Sequence, residues 1–170
     1  MVPGRARATP ELVIFIGLQG SGKSSFYRAR FAATHVHVSK DLLRNSRDKG
    51  SRQREKIAAA LRQGHSVVVD NTHPAAADRA PLFTLGRQFD AQIVGYFFDE
   101  PIERCLVRNR RRAGRTCVPE VALYVTRRRL EPPTLDEGFD ALYLVRPLDD
   151  GTFEVTPMWP PPSPAPQPQE

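Results

Sequence analysis

Four stretches of this 170-residue chain carry side chains able to handle a phosphoryl group. The first, Gly17-Leu18-Gln19-Gly20-Ser21-Gly22-Lys23-Ser24, meets the pattern G-x-x-x-x-G-K-[ST] at every fixed position. Its glycines let backbone N–H groups curl around phosphate oxygens in a turn where a Cβ would obstruct the approach. Lys23 can reach β- and γ-phosphates, and the Ser24 hydroxyl can ligate Mg²⁺. A helix starting near Gly22 adds its N-terminal dipole to the anion site. Gly17, Gln19, Gly20, Ser21, Gly22, Lys23, Ser24 and Ser25 are therefore the candidate residues for binding a nucleoside triphosphate.

The second stretch is Ser39-Lys40-Asp41-Leu42-Leu43-Arg44. Asp41 can accept a proton from an attacking hydroxyl, or it can serve as the acid of a helix first turn. Arg44 lies three residues on, so one helical turn brings it to the same face, to grip an acceptor phosphate or to pair with Asp41. The third is Asp70-Asn71-Thr72-His73-Pro74. Asp70 closes a β-branched run, where P-loop enzymes hold an acid on a Mg²⁺-bound water. Asn71 and Thr72 can fix the turn by bonding backbone, and His73 reads as a loop residue rather than a ligand. The fourth is arginine-rich: Arg108, Arg111, Arg112 and Arg115, with Arg108, Arg111 and Arg115 on one face at helical spacing. Arginines so placed can neutralise charge on a transferred phosphoryl group or simply keep a helix solvated.

The elements that must position these groups alternate. Residues 12–16 and 66–69 are apolar runs of the kind that form strands buried on both faces, and 35–38 and 92–98 supply two more strands. Between them, residues 24–33, 52–63 and 75–88 read as helices. The first offers Phe26, Ala29 and Ala33 inward, and the second offers Ile57, Ala60 and Leu61 and ends at Gly64. The polar residues 45–51 read as mobile. Residues 102–112 read as an arginine-rich helix, broken over 114–119 and resumed over 120–130. Short strands at 142–145 and 152–155 suggest a hairpin across Asp149-Asp150-Gly151. The expectation is an α/β P-loop fold: a parallel sheet with helices on both faces and an Arg-rich helical lid. Ligand groups then lie beyond the carboxyl ends of the strands, where each polar cluster falls. The expected organisation is a flexible arm over residues 1–10, one domain over 11–156 and a proline-rich disordered tail over 157–170.

Composition sets outer bounds. The length suits one domain with a sizeable core. The net charge is +6 and the pI about 9.8, concentrated in two arginine clusters that suit polyanions. Cys105 and Cys117 make no metal-ligand spacing, and no apolar stretch reaches membrane-spanning length, so a cytoplasmic protein is expected.

Taken together, the clusters resemble the P-loop polynucleotide 5′-hydroxyl kinases, the kinase module of nucleic-acid end-healing enzymes. The likeness rests on the loop at residues 17–25, the S-x-D-x-x-R set of Ser39, Asp41 and Arg44, and the Asp70-Asn71-Thr72-x-Pro74 segment, followed by Arg79. The resemblance implies ATP and Mg²⁺ as cofactors, with Lys23 and Ser24 binding ATP and Ser24 and Asp70 serving the metal. It implies Asp41 as the base for a nucleic-acid 5′-OH end. Arg44, Asn71, Thr72 and Arg79 would lie on the acceptor side, and lid arginines, Arg108 and Arg111 foremost with Arg112 beside them, would clamp the ATP phosphates. The sequence departs from the pattern at Ser25, where threonine is common, and at His73, where asparagine is. Two alternatives stand beside this reading: a kinase of a small-molecule hydroxyl (sugar, nucleoside or antibiotic) and a non-catalytic nucleotide-binding module.

Overall fold

The computed structural model describes residues 8–43, 45 and 47–158. Arg44, most of the expected N-terminal arm and the tail from residue 159 onward lie outside the described residues. Six strands form one sheet: β1 (Glu11–Gly17), β2 (His35–Val38), β3 (Ser66–Val69), β4 (Gln92–Phe98), β5 (Ala141–Pro147) and β6 (Phe153–Pro157). Their spatial order is β2-β3-β1-β4-β5-β6. The first five run parallel, as expected of strands linked through helices. β6 alone runs antiparallel, folding back on β5 through a tight turn in which Asp150 accepts hydrogen bonds from the Thr152 backbone and hydroxyl. This strand continues through Pro157, and the Met158 N–H donates to Leu142 O, so ordered structure extends past the expected end of the domain.

The central position of β1 explains its composition. Leu12, Ile14 and Ile16 point to one face and Val13 and Phe15 to the other, and all five are inaccessible to solvent. Helices α2 (Lys49–Arg62) and α3 (Ala76–Gln88) cover the first face through Ile57, Leu61, Leu82 and Phe83. Helix α1 (Lys23–Arg30) covers the second through Phe26 and Tyr27, joined by Phe31 just beyond its end. The expected inner positions Ala29 and Ala33 are exposed instead. Aromatic rings bury far more area than alanine, and Phe15, Phe26, Phe31, Tyr96 and Phe98 interlock into one cluster that sets the rotation of the helix.

Local chemistry moves several boundaries. Asp48 accepts a hydrogen bond from the Ser51 N–H at 3.0 Å, so α2 starts at Lys49, inside a stretch expected to be mobile. Gly64 ends the chain's turn out of α2 at φ +82°, as its expected capping role requires. Helix α4 (Ile102–Arg110) stops two residues early. The Asn109 carboxamide receives the Val118 N–H and donates to the Val118 carbonyl, at 3.0 and 2.7 Å, pinning the loop back against the helix end. The expected common helical face of Arg108, Arg111 and Arg115 is therefore interrupted after Arg110. Helix α5 (Glu120–Arg129) follows and packs on α4 and Leu18 through Cys105, Leu106 and Leu123.

Candidate active site

The loop after β1 and the ends of β2 and β3 meet at the carboxyl edge of the sheet, where parallel α/β folds bind ligands. Gly20 (φ +76°) and Gly22 (φ +98°) adopt backbone conformations that other residues rarely take. A Cβ on Gly20 would also stand 2.7 Å from the Cys105 carbonyl, so the loop lies directly against α4. Beyond this turn, the Phe26 N–H is the first of α1 to find a helical acceptor, at Gly22 O. The N–H groups before it make the anion-facing end of the helix.

Lys23 is buried, its Nζ donating to Gly17 O at 3.0 Å and Leu18 O at 2.6 Å. Burial lowers its pKa to about 8, with Asp70 pulling in the opposite direction and Arg112 adding repulsion. Next to it, the Ser24 hydroxyl donates to Asp70 Oδ2 at 2.8 Å. Burial pushes the Asp70 carboxyl up, but hydrogen bonds from His37 and Ser24 and the charge of Lys23 outweigh it, leaving the group below the usual carboxylate range. Asp70 is thus an anion at neutral pH beside a hydroxyl, an all-oxygen pair suited to Mg²⁺. Among the described residues no group of three or more His, Cys, Asp or Glu side chains could enclose a metal.

Asp41 sits in a single 3₁₀ turn, Lys40–Leu42, at the end of β2, and its carboxylate is exposed. The turn is fixed from both sides. Ser39 Oγ accepts the Asp41 N–H at 3.2 Å, and Asn71 Oδ1 accepts the Lys40 N–H at 2.9 Å. The Asn71 amide in turn donates to Gln53 at 2.6 Å. Asn71, expected on the acceptor side, therefore has its carboxamide committed to holding the Asp41 turn. Thr72 contributes its carbonyl, which accepts the Gly17 N–H at 3.0 Å and ties the β3 end to the phosphate loop.

Arg79 needs the clearest correction. Its guanidinium is inaccessible to solvent and forms a two-pronged ion pair with Glu137, both contacts at 2.7 Å. The remaining donors go to the carbonyls of His73, Pro74 and Glu131. An arginine with its donors spent inside the protein cannot also grip an acceptor. It staples the β3–α3 loop to the segment leaving α5. His73 is a buried loop residue at φ +42°, with Nδ1 donating to Phe15 O at 2.8 Å. Burial lowers its pKa to about 4, so it is neutral in ordinary buffers.

Of the expected lid arginines, Arg108 reaches the phosphate loop, donating to Gly20 O at 3.2 Å and to Glu100 at 2.7 Å. Arg111 lines a cleft of about 460 Å³ between α4 and the β5–β6 turn, with Arg104, Arg108, Leu148 and Asp149. Arg112 donates to Thr116 O at 3.4 Å. Gln19 crosses to α5, its Nε2 donating to Thr126 Oγ1 at 3.1 Å, while its buried Oε1 has no partner among the described residues.

Sequence reasoning missed His37, Glu100 and Thr126. His37 contacts Asp70 Oδ2 at 2.9 Å and stacks on Tyr27 with ring centroids 4.0 Å apart. The alternation His35-Val36-His37-Val38 already put both histidines on one face of a strand ending at the site. Glu100 stands four and eight residues before its partners Arg104 and Arg108, the spacing of successive helical turns, whereas nothing in sequence spacing could link Thr126 to Gln19.

Comparison with known proteins bears on the family and the fold. A family model described as "AAA domain" matches residues 12–133, the span from β1 past α5. The chain belongs to the AAA domain family. A bifunctional polynucleotide phosphatase/kinase of Schizosaccharomyces pombe is 26% identical over 133 residues, covering 76% of this chain. The chain spans about a third of that relative, 32%. Among solved structures, a chain of the Pnkp1/Rnl/Hen1 RNA repair complex superposes with a TM-score of 0.62 at 24% identity, covering 76% of this chain and 47% of that one. A gluconokinase from Sinorhizobium meliloti 1021 superposes at 0.57 with 21% identity, covering 82% and 84%. The expected α/β P-loop fold is thus shared with kinases of more than one acceptor class, so the fold alone does not select the acceptor. No helix among the described residues is long and apolar enough to cross a membrane.

Proposed function

We propose that this AAA domain transfers the γ-phosphoryl group of ATP to the 5′-hydroxyl end of a polynucleotide, in the cytoplasm, where its free Cys105 and Cys117 suit a reducing environment. The observation that carries the reading is the meeting, at one sheet edge, of the Lys23–Ser24–Asp70 group with an exposed Asp41 on a braced turn. The relative named as a polynucleotide phosphatase/kinase supports the acceptor class.

In this reading the loop N–H groups and Lys23 hold the triphosphate. Ser24 and Asp70 would hold Mg²⁺, which would supply charge neutralisation to the triphosphate. Asp41 accepts the proton of the 5′-OH as that oxygen forms its bond to the γ-phosphorus, and the bond to the bridging oxygen of ADP breaks. Arg108, already on the phosphate loop, and Arg111 stabilise the transferred charge. Arg44 would take the first phosphate of the acceptor strand.

Labelled ATP, a 5′-OH oligonucleotide and a matched 5′-phosphorylated control test the reading. Label on the 5′-OH strand alone is the expected result. Label on gluconate or another small hydroxyl acceptor, with none on the oligonucleotide, would replace it with the small-molecule reading.

A further inference from the structure

The arginine excess is not spread over the molecule. Residues 101–130 hold nine arginines against two glutamates, a net +7, whereas the whole chain is only +6. The rest of the protein is therefore close to neutral, and the α4–α5 region carries its entire positive field.

Within this region α5 has two unlike faces. Leu123 and Thr126 are buried toward α4 and the phosphate loop. Val121, Tyr124 and Val125 turn outward, 66%, 50% and 53% exposed, and Arg128 completes the same stripe at helical spacing. Arg110, at the adjoining end of α4, is held by Glu120 at 2.6 Å. Arg129 is held by Asp78. Arg111, Arg127 and Arg128 form no ion pair with any described residue.

We infer that the outward face of α5 is a docking track for a single-stranded nucleic acid, with Tyr124 as a base-stacking platform and Arg127 and Arg128 as phosphate contacts. This inference rests on the proposed acceptor class and says where its strand runs. A protein-binding surface concentrates apolar area and sheds charge at its core, whereas here a single ring, flanked by two valines, stands beside the unpaired Arg127 and Arg128, which fits a strand that offers a π-face and a phosphate at every nucleotide. The face also stands in the right place. Helix α5 is tied to the phosphate loop through Gln19–Thr126 and to the first turn of α3 through Arg129–Asp78, and just beyond its end the Glu131 N–H donates to Pro74 O in the β3–α3 loop at 2.8 Å. The helix that carries this face is thus fixed against both the phosphate loop and the β3–α3 loop.

The test measures binding of a 3′-fluorescein-labelled, 5′-OH DNA dodecamer by anisotropy across a salt series, and separately measures phosphorylation of that dodecamer and of a nucleoside 3′-monophosphate. Tyr124→Ala is expected to weaken strand binding about 5- to 150-fold, the range of one lost base stack, and to raise KM for the dodecamer similarly. Transfer to the mononucleotide should be unchanged. Arg127→Glu with Arg128→Glu should also weaken binding and flatten the salt dependence, by about 0.7 per lost phosphate contact. All three residues are exposed, so a folded variant is expected, and native far-UV circular dichroism checks it. Unchanged dodecamer affinity and salt slope in both variants would overturn the inference. Binding is read without turnover, so a protein that binds strands through Tyr124 but phosphorylates neither acceptor would sustain the track while overturning the kinase reading.

Discussion

Arg79 and Arg128 are the same residue type put to opposite uses. At the β3–α3 junction Arg79 is fully buried, its guanidinium divided between Glu137 and three carbonyls. On the outer face of α5, Arg128 is exposed and forms no ion pair with a described residue. The junction spends its charge on fixing the walls of the site, and α5 leaves its charge available to something else. The same contrast runs through the site itself, where Asn71, Thr72 and Ser39 are braces and the Asp41 carboxylate is left open to solvent.

Substitutions can break this division or sharpen it. The largest effect is expected at the open end. Asp41→Asn should lower kcat about 10²- to 10⁴-fold, the usual range for loss of a general base, with unchanged Tm and nucleotide affinity. An equal loss of nucleotide binding would show that Asp41 belongs with the braces instead. Arg79→Ala should act the other way, destabilising the fold by about 3–5 kcal/mol because it leaves Glu137 unpaired in a half-buried setting. Urea unfolding reads this directly, and a fully stable variant with poor acceptor binding would return Arg79 to the acceptor side.

A smaller effect is expected at His37, whose ring orients Asp70 from behind. His37→Ala should cost roughly tenfold in apparent Mg²⁺ affinity, as loss of a ligand-orienting partner does, with kcat near normal at saturating metal. A change in kcat that metal cannot rescue would give His37 a different role.

The smallest signal is a proton. The pKa of Lys23 is lowered to about 8 against an ordinary 10.5, so between those values the ligand-free folded protein carries less charge there than the unfolded chain. The sign follows: the cost of burying the ammonium is present in full below about pH 8 and is relieved as pH rises toward 10.5. A bound polyphosphate restores the charge, so nucleotide binding at about pH 9 should take up most of one proton, and almost none near pH 7. Calorimetry in two buffers of different ionisation enthalpy measures it. No uptake at the higher pH would mean that Lys23 stays away from the phosphates.

Much of this molecule was legible from local pattern. The strands at 66–69 and 92–98 stand where β-branched and apolar runs put them, because a strand buried on both faces has little freedom in composition. The phosphate loop was legible because its chemistry lies within eight consecutive residues, each constrained by backbone conformation or by contact with an anion. Helix ends were less so. The early stop of α4 depends on the Asn109 carboxamide meeting Val118, and the rotation of α1 on rings supplied by β1 and β4.

What the sequence by itself determined is the fold class, the phosphate loop and the set of polar residues at the strand ends. Each of these follows from neighbours along the chain. Only the tertiary structure decided which of those residues are braces and which are open. Arg79 and Arg128 are indistinguishable as letters, and their roles diverge because Glu137 and three carbonyls converge on one while the other faces solvent. Partners 50 or more residues away, as Glu137 is from Arg79, leave no local trace that spacing or periodicity can report.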